Sequence, residues 1–566
     1  MDPAAGVVPD RETFLALAAS HRVVPVMRTL LADLTSPVAA FLRLCGNDEQ
    51  GAPGFLLESV DHSGRWDRWS FVGRDPRARI VARAGEVTTS GELPADLPVG
   101  DGLLATLEAL LEHYRAPEAA QLVSSAAGPQ DPVLPPLHSG VVGYIGYEVV
   151  REVEHLPDAP PDDRGWPDAV LSVIGEIAAY DHWNNQATLI VNALIEPGAT
   201  PADLRRAYDD ACARLDQMAL DGARTIDEPL VDPPVSTGLP DSVRSAMPEG
   251  VYQEAVRGAK ELIAAGDIFQ VVLSQRFDVD TTADPLDVYR VLRQINPSPY
   301  MYFVREPELT VVGCSPEPMV QLLGDTVVSR PIAGTRFRGS TDERDRQLAA
   351  ELIEHPKERA EHIMLVDLAR NDVGRVVTFG TCEVDELMTL ERYSHVMHLT
   401  SQVSGTLAEG KGPIDVLKAT LPAGTVSGAP KVRAMEVIDD MEVTRRGPYA
   451  GVVGYLDFSG NIDTAIAIRT MILDPPDDSG VRRASVQAGA GVVVDSDPDD
   501  EELETRNKAK ALLVALPAAE RMTAQRRDSA GRGSSGGEPG ADGPGAGVPG
   551  AGGVRGKPVG HGSGSP

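Results

Sequence analysis

The stretch QAGAGVVVDSDPDDEELETRNK, residues 487–508, joins a predicted strand to a predicted helix. Asp497 suits the N-cap of that helix, and Pro498 suits its first turn. Three charged side chains then follow at i, i+3 and i+7, on one helical face: Glu501, Glu504 and Lys508. Two neighbouring carboxylates repel each other unless a cation lies between them. The pair indicates a cation site, although a solvated acidic first turn that complements the helix dipole explains the same pattern.

A second predicted helix, residues 357–369, carries the same arrangement of acidic side chains. Glu358 and Glu361 lie at i and i+3, opposite an apolar face. Two carboxylate pairs on two helices supply hard oxygen ligands. Mg²⁺ binds through one or two carboxylates and keeps positions open for water and substrate. Salt bridges on a helix surface remain the alternative explanation for either pair taken alone.

Other features of the sequence suit the binding of an anion. Glycine-bearing turns follow predicted strands at 331–336, 423–431 and 487–491, and the backbone N–H groups of such turns can close on a carboxylate. Arg469 stands in an otherwise apolar run, residues 465–471, and an arginine there needs an anionic partner. That partner is either a structural carboxylate or a ligand.

The charge balance narrows the classes of function. The 566 residues include 52 Lys and Arg and 84 Asp and Glu, a net charge of −32, which argues against nucleic-acid binding. An anionic substrate would need local Arg, Lys or a metal ion to overcome that field. No apolar run reaches the ~18 residues of a membrane span, and the N-terminus lacks the features of a secretory signal. Four dispersed cysteines argue against a zinc or disulfide framework and favour the cytoplasm.

The pattern of predicted elements indicates the fold class. Apolar periodicity predicts helices at Leu103–His113, Val251–Ala265 and 498–516. Predicted strands are too numerous for a doubly wound sheet, so we expect an α+β fold with mainly antiparallel sheets. Shifts in composition divide the chain into residues 1–220, a linker at 221–248, a second part at 249–517, and a Gly/Pro/Ser-rich tail at 523–566 that is predicted to be disordered.

Together these stretches resemble the chorismate-utilising enzyme family, and within it the synthase component (component I) of anthranilate synthases. The resemblance is carried, in the family's order, by residues 313–317, 331–339, 357–372, 391–398, 425–431 and 487–508. It implies two mainly antiparallel sheets that pack together around one site, with helices outside.

The resemblance also implies roles for individual residues. Glu317 matches the acid that protonates the departing ring hydroxyl, and His398, Thr425 and Gln270 match other positions of the catalytic pocket. The implied Mg²⁺ ligands are Glu361 and Glu504, with Glu358 and Glu501 in support. The implied substrate contacts are Gly334, Thr335, Tyr449, Arg469, Gly489, Ala490, Gly491 and Lys508.

Two positions discriminate among members of the family. Isochorismate and salicylate synthases have a water-activating lysine where this chain has Gln270, and glutamine cannot act as a base. Aminodeoxychorismate synthases typically have a lysine at Ala333, so a covalent lysine intermediate is disfavoured. The resemblance therefore implies a lyase that converts chorismate and ammonia to anthranilate and pyruvate, the first step of tryptophan biosynthesis. A separate glutamine amidotransferase subunit (component II) is expected to supply the ammonia, which makes the protein a hetero-oligomer.

Two further strings resemble the tryptophan-binding element of feedback-inhibited members. Glu58 and Ser59 lie in the first string, and Pro299, Tyr300 and Met301 lie in the second. A carboxylate and a hydroxyl suit an amino group, while Pro and Met suit an indole ring. We therefore expect an allosteric tryptophan site, although plain strand and turn explain each string alone.

Two alternatives remain at this stage. An aminodeoxychorismate or aminodeoxyisochorismate synthase would release a non-aromatic product that keeps its pyruvyl group. A non-catalytic tryptophan sensor belongs to another class, and the presence of Glu317, Glu361, Glu504 and Arg469 argues against it.

Overall fold

The structure, a computed structural model, describes residues 6–46, 52–59, 68–122, 134–226, 228–235, 238–392 and 396–534. The helices in these ranges are α1 (Arg11–Leu17), α2 (Pro37–Cys45), α3 (Leu103–His113), α4 (Ala119–Leu122), α5 (Pro201–Gly222), α6 (Val251–Ala265), α7 (Pro285–Ile295), α8 (Asp342–Glu354), α9 (Pro356–Gly374), α10 (Pro413–Thr420), α11 (Lys431–Met441), α12 (Pro498–Leu513) and α13 (Leu516–Ser534). The strands are β1 (Val7–Val8), β2 (Val23–Leu31), β3 (Gly54–Glu58), β4 (Trp69–Arg74), β5 (Ala78–Arg83), β6 (Glu86–Gly91), β7 (Val141–Ile145), β8 (Ala169–Val173), β9 (Glu176–Asp181), β10 (Gln186–Leu194), β11 (Arg244–Ser245), β12 (Gln270–Thr281), β13 (Tyr300–Arg305), β14 (Thr310–Ser315), β15 (Pro318–Leu323), β16 (Thr326–Ser329), β17 (Ile332–Phe337), β18 (Glu383–Arg392), β19 (Val396–Thr406), β20 (Gly428–Ala429), β21 (Val452–Leu456), β22 (Ile462–Ile466), β23 (Thr470–Leu473) and β24 (Arg482–Val492).

The described strands form two antiparallel sheets. The larger has 13 strands in the order β1-β2-β10-β9-β4-β3-β13-β14-β23-β24-β12-β11, with β20 paired to β12. The smaller has 11 strands in the order β17-β19-β16-β15-β22-β21-β7-β8-β5-β6, with β18 paired to β19. The predicted α+β fold of two mainly antiparallel sheets is confirmed.

The sheets pack face to face with helices outside, because each sheet buries apolar side chains on both faces. Phe71, Tyr144 and Tyr455 lie in the core between the two sheets. A second core joins the other face of the large sheet to α1, α2, α5, α7, α12 and α13. A third core packs α3, α9 and α10 on the side of the small sheet, and α6 and α11 against β12 of the large sheet. Burial of one large apolar side chain contributes about 1.5–3 kcal/mol, so these three cores supply the main stabilising term.

Both sheets draw strands from both halves of the chain. In the small sheet β7 pairs with β8 on one side and with β21 on the other. In the large sheet β3 pairs with β4 and with β13. The predicted linker at 221–248 begins inside α5 and includes β11, which pairs with β12. The two predicted parts are therefore one interleaved unit.

Several boundaries differ from those that the sequence predicted. Helices α3 and α6 have the predicted limits, whereas the predicted helix 498–516 is divided, since α12 ends at Leu513 and α13 begins at Leu516. The tail predicted from 523 begins inside α13, where Thr523 is buried. Arg526 anchors this helix through ion pairs to Asp284 and Asp287 near the start of α7. Residues 535–566 lie outside the described ranges. No helix in the described ranges is long and apolar enough to cross a membrane.

Candidate active site

Glu317 lies in the turn between β14 and β15, and its backbone is held on both sides. Its carbonyl accepts the N–H of Ile466 at 3.0 Å. The hydroxyl of Ser315 donates to the Ile466 carbonyl at 2.8 Å and lies 3.3 Å from the Glu317 N–H, which donates to it. These bonds fix the turn against the end of β22, so the carboxyl group has a defined position.

Glu317 is only 7 % exposed. Burial raises the pKa of its carboxyl group to about 8, and the nearby Thr425 hydroxyl, Ile332 N–H and Lys508 ammonium oppose that shift only in part. The group is therefore a neutral carboxylic acid at neutral pH. A buried acid of this kind can donate a proton to a leaving group.

Thr425 belongs to a short 3-10 turn, Gly424–Val426, that faces Glu317 across a cavity. Glu317, Thr425 and Ile466 line this cavity together with residues of α9. The Thr425 hydroxyl is buried and has no hydrogen bond of ordinary geometry with the described residues. A buried hydroxyl in that state is suited to a ligand.

A buried ion pair that the sequence analysis missed supports this turn. Arg446 is 1 % exposed and pairs with Glu442 at 2.6 Å. Its guanidinium also donates to the carbonyls of Val426 and Val272, each at 2.7 Å. It lies over the ring of Tyr449. The i,i+4 spacing of Glu442 and Arg446 is visible in the sequence, but it is common on exposed helices, and only the fold shows that this pair is buried.

Arg469 lies between β22 and β23 in the left-handed region, with φ +50°. Its side chain is half-buried, and no described carboxylate lies within ion-pair distance of it. The sequence allowed either a structural carboxylate or a ligand as the partner of Arg469. Among the described residues, no carboxylate has that role. A half-buried, unpaired guanidinium is a ready bidentate site for a ligand carboxylate.

His398 lies near Arg469 and Gly334. Burial lowers the pKa of its imidazole to about 4, and the positive charge of Arg469 adds to that effect. Its Nδ1 lies 3.4 Å from the Gly334 carbonyl, which can only accept, so the single proton of the neutral ring belongs on Nδ1. The Nε2 nitrogen then carries the lone pair. Thr335 lies opposite His398 in the β17–β19 ladder.

The end of β24 brings together several predicted substrate contacts. Lys508 of α12 donates to the carbonyl of Gly489 at 2.8 Å. A Cβ atom at Gly489 would lie 2.7 Å from the Tyr449 hydroxyl, so only glycine permits this approach. A Cβ atom at Gly491 would meet the Gln270 carboxamide. Ala490 is fully buried on the opposite face of the strand, which leaves only its backbone for a ligand.

The predicted metal ligands lie on α9 and α12. Glu358 pairs with Arg336 at 3.0 Å, beside Gly334. Glu504 is half-exposed and pairs with Lys508 at 2.7 Å. In the described ranges, no three or more His, Cys, Asp or Glu side chains lie close enough together to hold a metal ion. The four predicted carboxylates are therefore not gathered into one cluster: Glu358, Glu361, Glu501 and Glu504. Carboxylates repel each other, and here two of them are neutralised separately by basic side chains.

The predicted tryptophan element lies where β3 and β13 meet, with Met301 opposite Glu58. The Glu58 carboxylate is already engaged by Arg293 at 3.1 Å and by the Tyr289 hydroxyl. Within this predicted element, Ser59 has a buried hydroxyl that makes no hydrogen bond with the described residues.

In the second predicted stretch, Tyr300 and Met301 point to opposite faces of β13. Pro299, just before β13, is buried, and Met301 packs in the outer core of the large sheet. The hydroxyl of Tyr300 donates to Asp463 at 3.0 Å, in the small sheet. Successive residues of a strand point to opposite faces, so Tyr300 is not on the face of Glu58. The side chain of Tyr300 therefore points away from Glu58, and its predicted contact with tryptophan stays a prediction.

A model of chorismate binding enzymes matches residues 55–514. The chain is 46% identical over 522 residues to anthranilate synthase component 1 of Mycobacterium tuberculosis, covering 91% of this chain and 96% of that protein. It is 44% identical over 501 residues to the protein of the same name from Thermus thermophilus, covering 88% and 99%.

Solved structures have the same fold. Anthranilate synthase component I from Streptococcus pneumoniae superimposes with a TM-score of 0.65 at 34% identity, covering 86% of this chain and 99% of that chain. A menaquinone-specific isochorismate synthase from Escherichia coli, 18% identical, superimposes with a TM-score of 0.60 over 89% and 98% of the two chains, which shows the fold alone.

The chain belongs to the family of chorismate binding enzymes. Within that family it groups with the proteins named anthranilate synthase component 1, which it matches over nearly their whole length.

Proposed function

We propose that this protein converts chorismate and ammonia to anthranilate, pyruvate and water. The observation that carries the proposal is a carboxylic acid that burial keeps protonated, Glu317, whose backbone carbonyl is held by the N–H of Ile466, three residues before Arg469. Arg469 is a half-buried guanidinium with no ion pair among the described residues. A dianionic substrate whose hydroxyl must leave needs both groups. The names of the relatives support the same reaction.

The residues suit each step of that reaction. Arg469 binds the enolpyruvyl carboxylate through two parallel hydrogen bonds. Ammonia forms a bond to the ring carbon next to the one that bears the carboxylate. The diene electrons shift, and the ring hydroxyl leaves as water with the proton of Glu317. Loss of the enolpyruvyl group as pyruvate, with removal of a ring proton, then completes the aromatic ring. His398 stays neutral in this pocket, because burial lowers its pKa to about 4, so it suits hydrogen bonding rather than proton transfer.

Magnesium is the cofactor that the acidic side chains of α9 and α12 suit by their chemistry. Mg²⁺ needs only one or two protein carboxylates, so Glu361 and Glu504 suffice as ligands, with Glu358 and Glu501 in support. When bound, the ion would draw charge onto the ring carboxylate. Arg336 and Lys508, which pair with two of these carboxylates, would then be released to other anions.

Three further assignments belong to this proposal. A glutamine amidotransferase subunit supplies ammonia, as the words "component 1" in the relatives' names imply a second component. Tryptophan inhibits by binding where β3 meets β13, next to the Ser59 hydroxyl, which has no hydrogen bond with the described residues. The reaction is the first step of tryptophan biosynthesis in the cytoplasm.

The test is the fluorescence of anthranilate when the purified chain meets chorismate, ammonium at alkaline pH and Mg²⁺, with and without tryptophan. We expect anthranilate that requires Mg²⁺ and decreases with tryptophan. A non-aromatic amino product that retains its pyruvyl group would refute the proposal in favour of an aminodeoxychorismate-type synthase. No turnover with tryptophan still bound would refute it in favour of a sensor.

A further inference from the structure

The first half of α9 carries the predicted metal ligands Glu358 and Glu361, yet little of it is buried. Among the described residues of 356–365, His362 alone is buried, and its exposure is 0 %. The second half of the helix instead buries apolar side chains such as Val366. The half that bears the carboxylates is therefore attached to the protein mainly through a polar side chain and not through an apolar stripe.

The imidazole of His362 has a single hydrogen-bonding partner among the described residues. Its Nε2 lies 2.6 Å from the hydroxyl oxygen of Ser401 in β19, and Ser401 is itself fully buried. Its Nδ1 is buried and makes no hydrogen bond with the described residues. A buried polar group is costly unless it is hydrogen-bonded, so the contact with Ser401 stabilises His362 at this position.

Ser401 is held in place by two other elements besides α9. Its hydroxyl oxygen accepts the N–H of Met388 in β18 at 2.9 Å. Its own N–H donates at 3.1 Å to the carbonyl of Pro331, which directly precedes β17. Met388 has a φ of +55°, and a non-glycine residue keeps that conformation only where its surroundings hold it. The hydroxyl that His362 meets is therefore a fixed point.

A fixed His362 determines where the neighbouring carboxylates point, because a helix turns once every 3.6 residues. Glu358 precedes His362 by four residues and so lies on the same face of α9, where it pairs with Arg336 of β17 at 3.0 Å. Glu361 directly precedes His362 and points about 100° around the helix. Apolar packing alone would tolerate rotation of this half of the helix, whereas a short hydrogen bond to a fixed hydroxyl selects one orientation.

We propose that His362 and Ser401 are positioning residues for the metal site. Their hydrogen bond sets the rotation of the first half of α9 and thereby the direction of Glu358 and Glu361. This inference rests on the proposed function, because it depends on the Mg²⁺ assigned to these carboxylates. It concerns the binding of the ion, so it can be measured without turnover.

The test titrates Mg²⁺ alone into the full chain in a calorimeter. In His362→Leu, which keeps an apolar side chain of similar bulk but loses the hydrogen bond, we expect the Kd for Mg²⁺ to rise about tenfold. Ser401→Ala removes only the hydroxyl and should give a similar rise, even if His362→Leu does not fold. His362→Gln, whose amide can still bond the Ser401 hydroxyl, should recover most of the affinity.

Val366→Ala, in the second half of the same helix, is the matched control. It removes buried apolar packing, so it should lower the melting temperature but change the Kd for Mg²⁺ less than about twofold. Equal Kd values in His362→Leu, Ser401→Ala and Val366→Ala would make the hydrogen bond merely structural and would overturn the inference alone. An unmodified chain that binds no Mg²⁺ would refute the metal assignment of the proposed function, and the inference with it.

Discussion

At the scale of single residues, environment decides what each carboxyl group can do. Glu317 is buried and holds its proton at neutral pH, because burial raises the pKa to about 8. Glu504 is half-exposed and pairs with Lys508. The first is suited to acid catalysis and the second to binding a cation, although the two side chains are chemically identical.

The pH dependence of Glu317 gives the first prediction. A pKa of about 8 means that the acid is protonated below pH 8 and is lost as pH rises through that value. With free ammonia held constant, we expect kcat to fall above pH 8. Glu317→Gln should lower kcat by about 100-fold or more and abolish that limb of the profile. If kcat of Glu317→Gln still decreased above pH 8, the catalytic acid would be another group.

Arg469 gives the second prediction. Arg469→Lys keeps the positive charge but removes the planar pair of donors, so the KM for chorismate should rise about tenfold or more. Arg483→Lys, at an exposed position on β24, is the control. Equal values for both variants would show that Arg469 does not bind a substrate carboxylate.

At the scale of elements, the candidate site lies where strand ends adjoin helix faces. The predicted ligand contacts are glycines of β24, and the predicted metal ligands are acidic residues of α9 and α12. Sequence periodicity located these helices well, because a buried stripe repeats every 3.6 residues. It did not show that Glu358 pairs with Arg336, or that Tyr300 turns toward Asp463, because both depend on partners from distant strands.

The acidic helices give the third prediction. Glu361→Gln should abolish Mg²⁺-dependent turnover and leave the fold intact, because amide oxygen is a weaker ligand for this ion than carboxylate. Glu354→Gln, exposed at the end of α8, is the control. Titration of activity with Mg²⁺ and circular dichroism measure the two effects. Full activity in Glu361→Gln would remove that residue from the metal site.

The two faces of β13 give the fourth prediction. Ser59→Ala should weaken inhibition by tryptophan about tenfold and spare catalysis, because it removes a buried hydroxyl that lacks a partner in the described chain. Tyr300→Phe is the contrasting variant, since its hydroxyl bonds Asp463 on the other face. Inhibition curves at fixed chorismate measure both. Equal effects of the two variants would move the regulatory site elsewhere.

At the scale of the whole molecule, the two halves share both sheets. The division of the chain at 221–248 was predicted from its composition. Composition gives the Pro and Gly content of a segment but does not show which strands pair. The ladders β3–β13 and β7–β21 join residues that are far apart in sequence. The alternation of apolar and polar residues along a strand does not identify the strand with which it pairs. The fold class was therefore accessible from the sequence, whereas the interleaving was not.

This sharing gives the fifth prediction. Residues 249–534 expressed alone should not fold, because removal of β3, β4, β7 and β8 exposes unpaired strand edges in both sheets. The full chain should unfold in one cooperative calorimetric transition. A folded, active fragment, or two separate transitions, would contradict the interleaved architecture.

The same ladders set a limit on how relatives can recombine. Consider a chimera that joins the first half of one homologue to the second half of another at the connection between Gly222 and Arg244. The junction itself would interrupt no long helix or strand. The chimera would nevertheless create hybrid ladders at β3–β13 and β7–β21 in the middle of both sheets. Evolution of the two halves of the chain is thereby tied together, since neither half can be inherited without a partner that fits its strands.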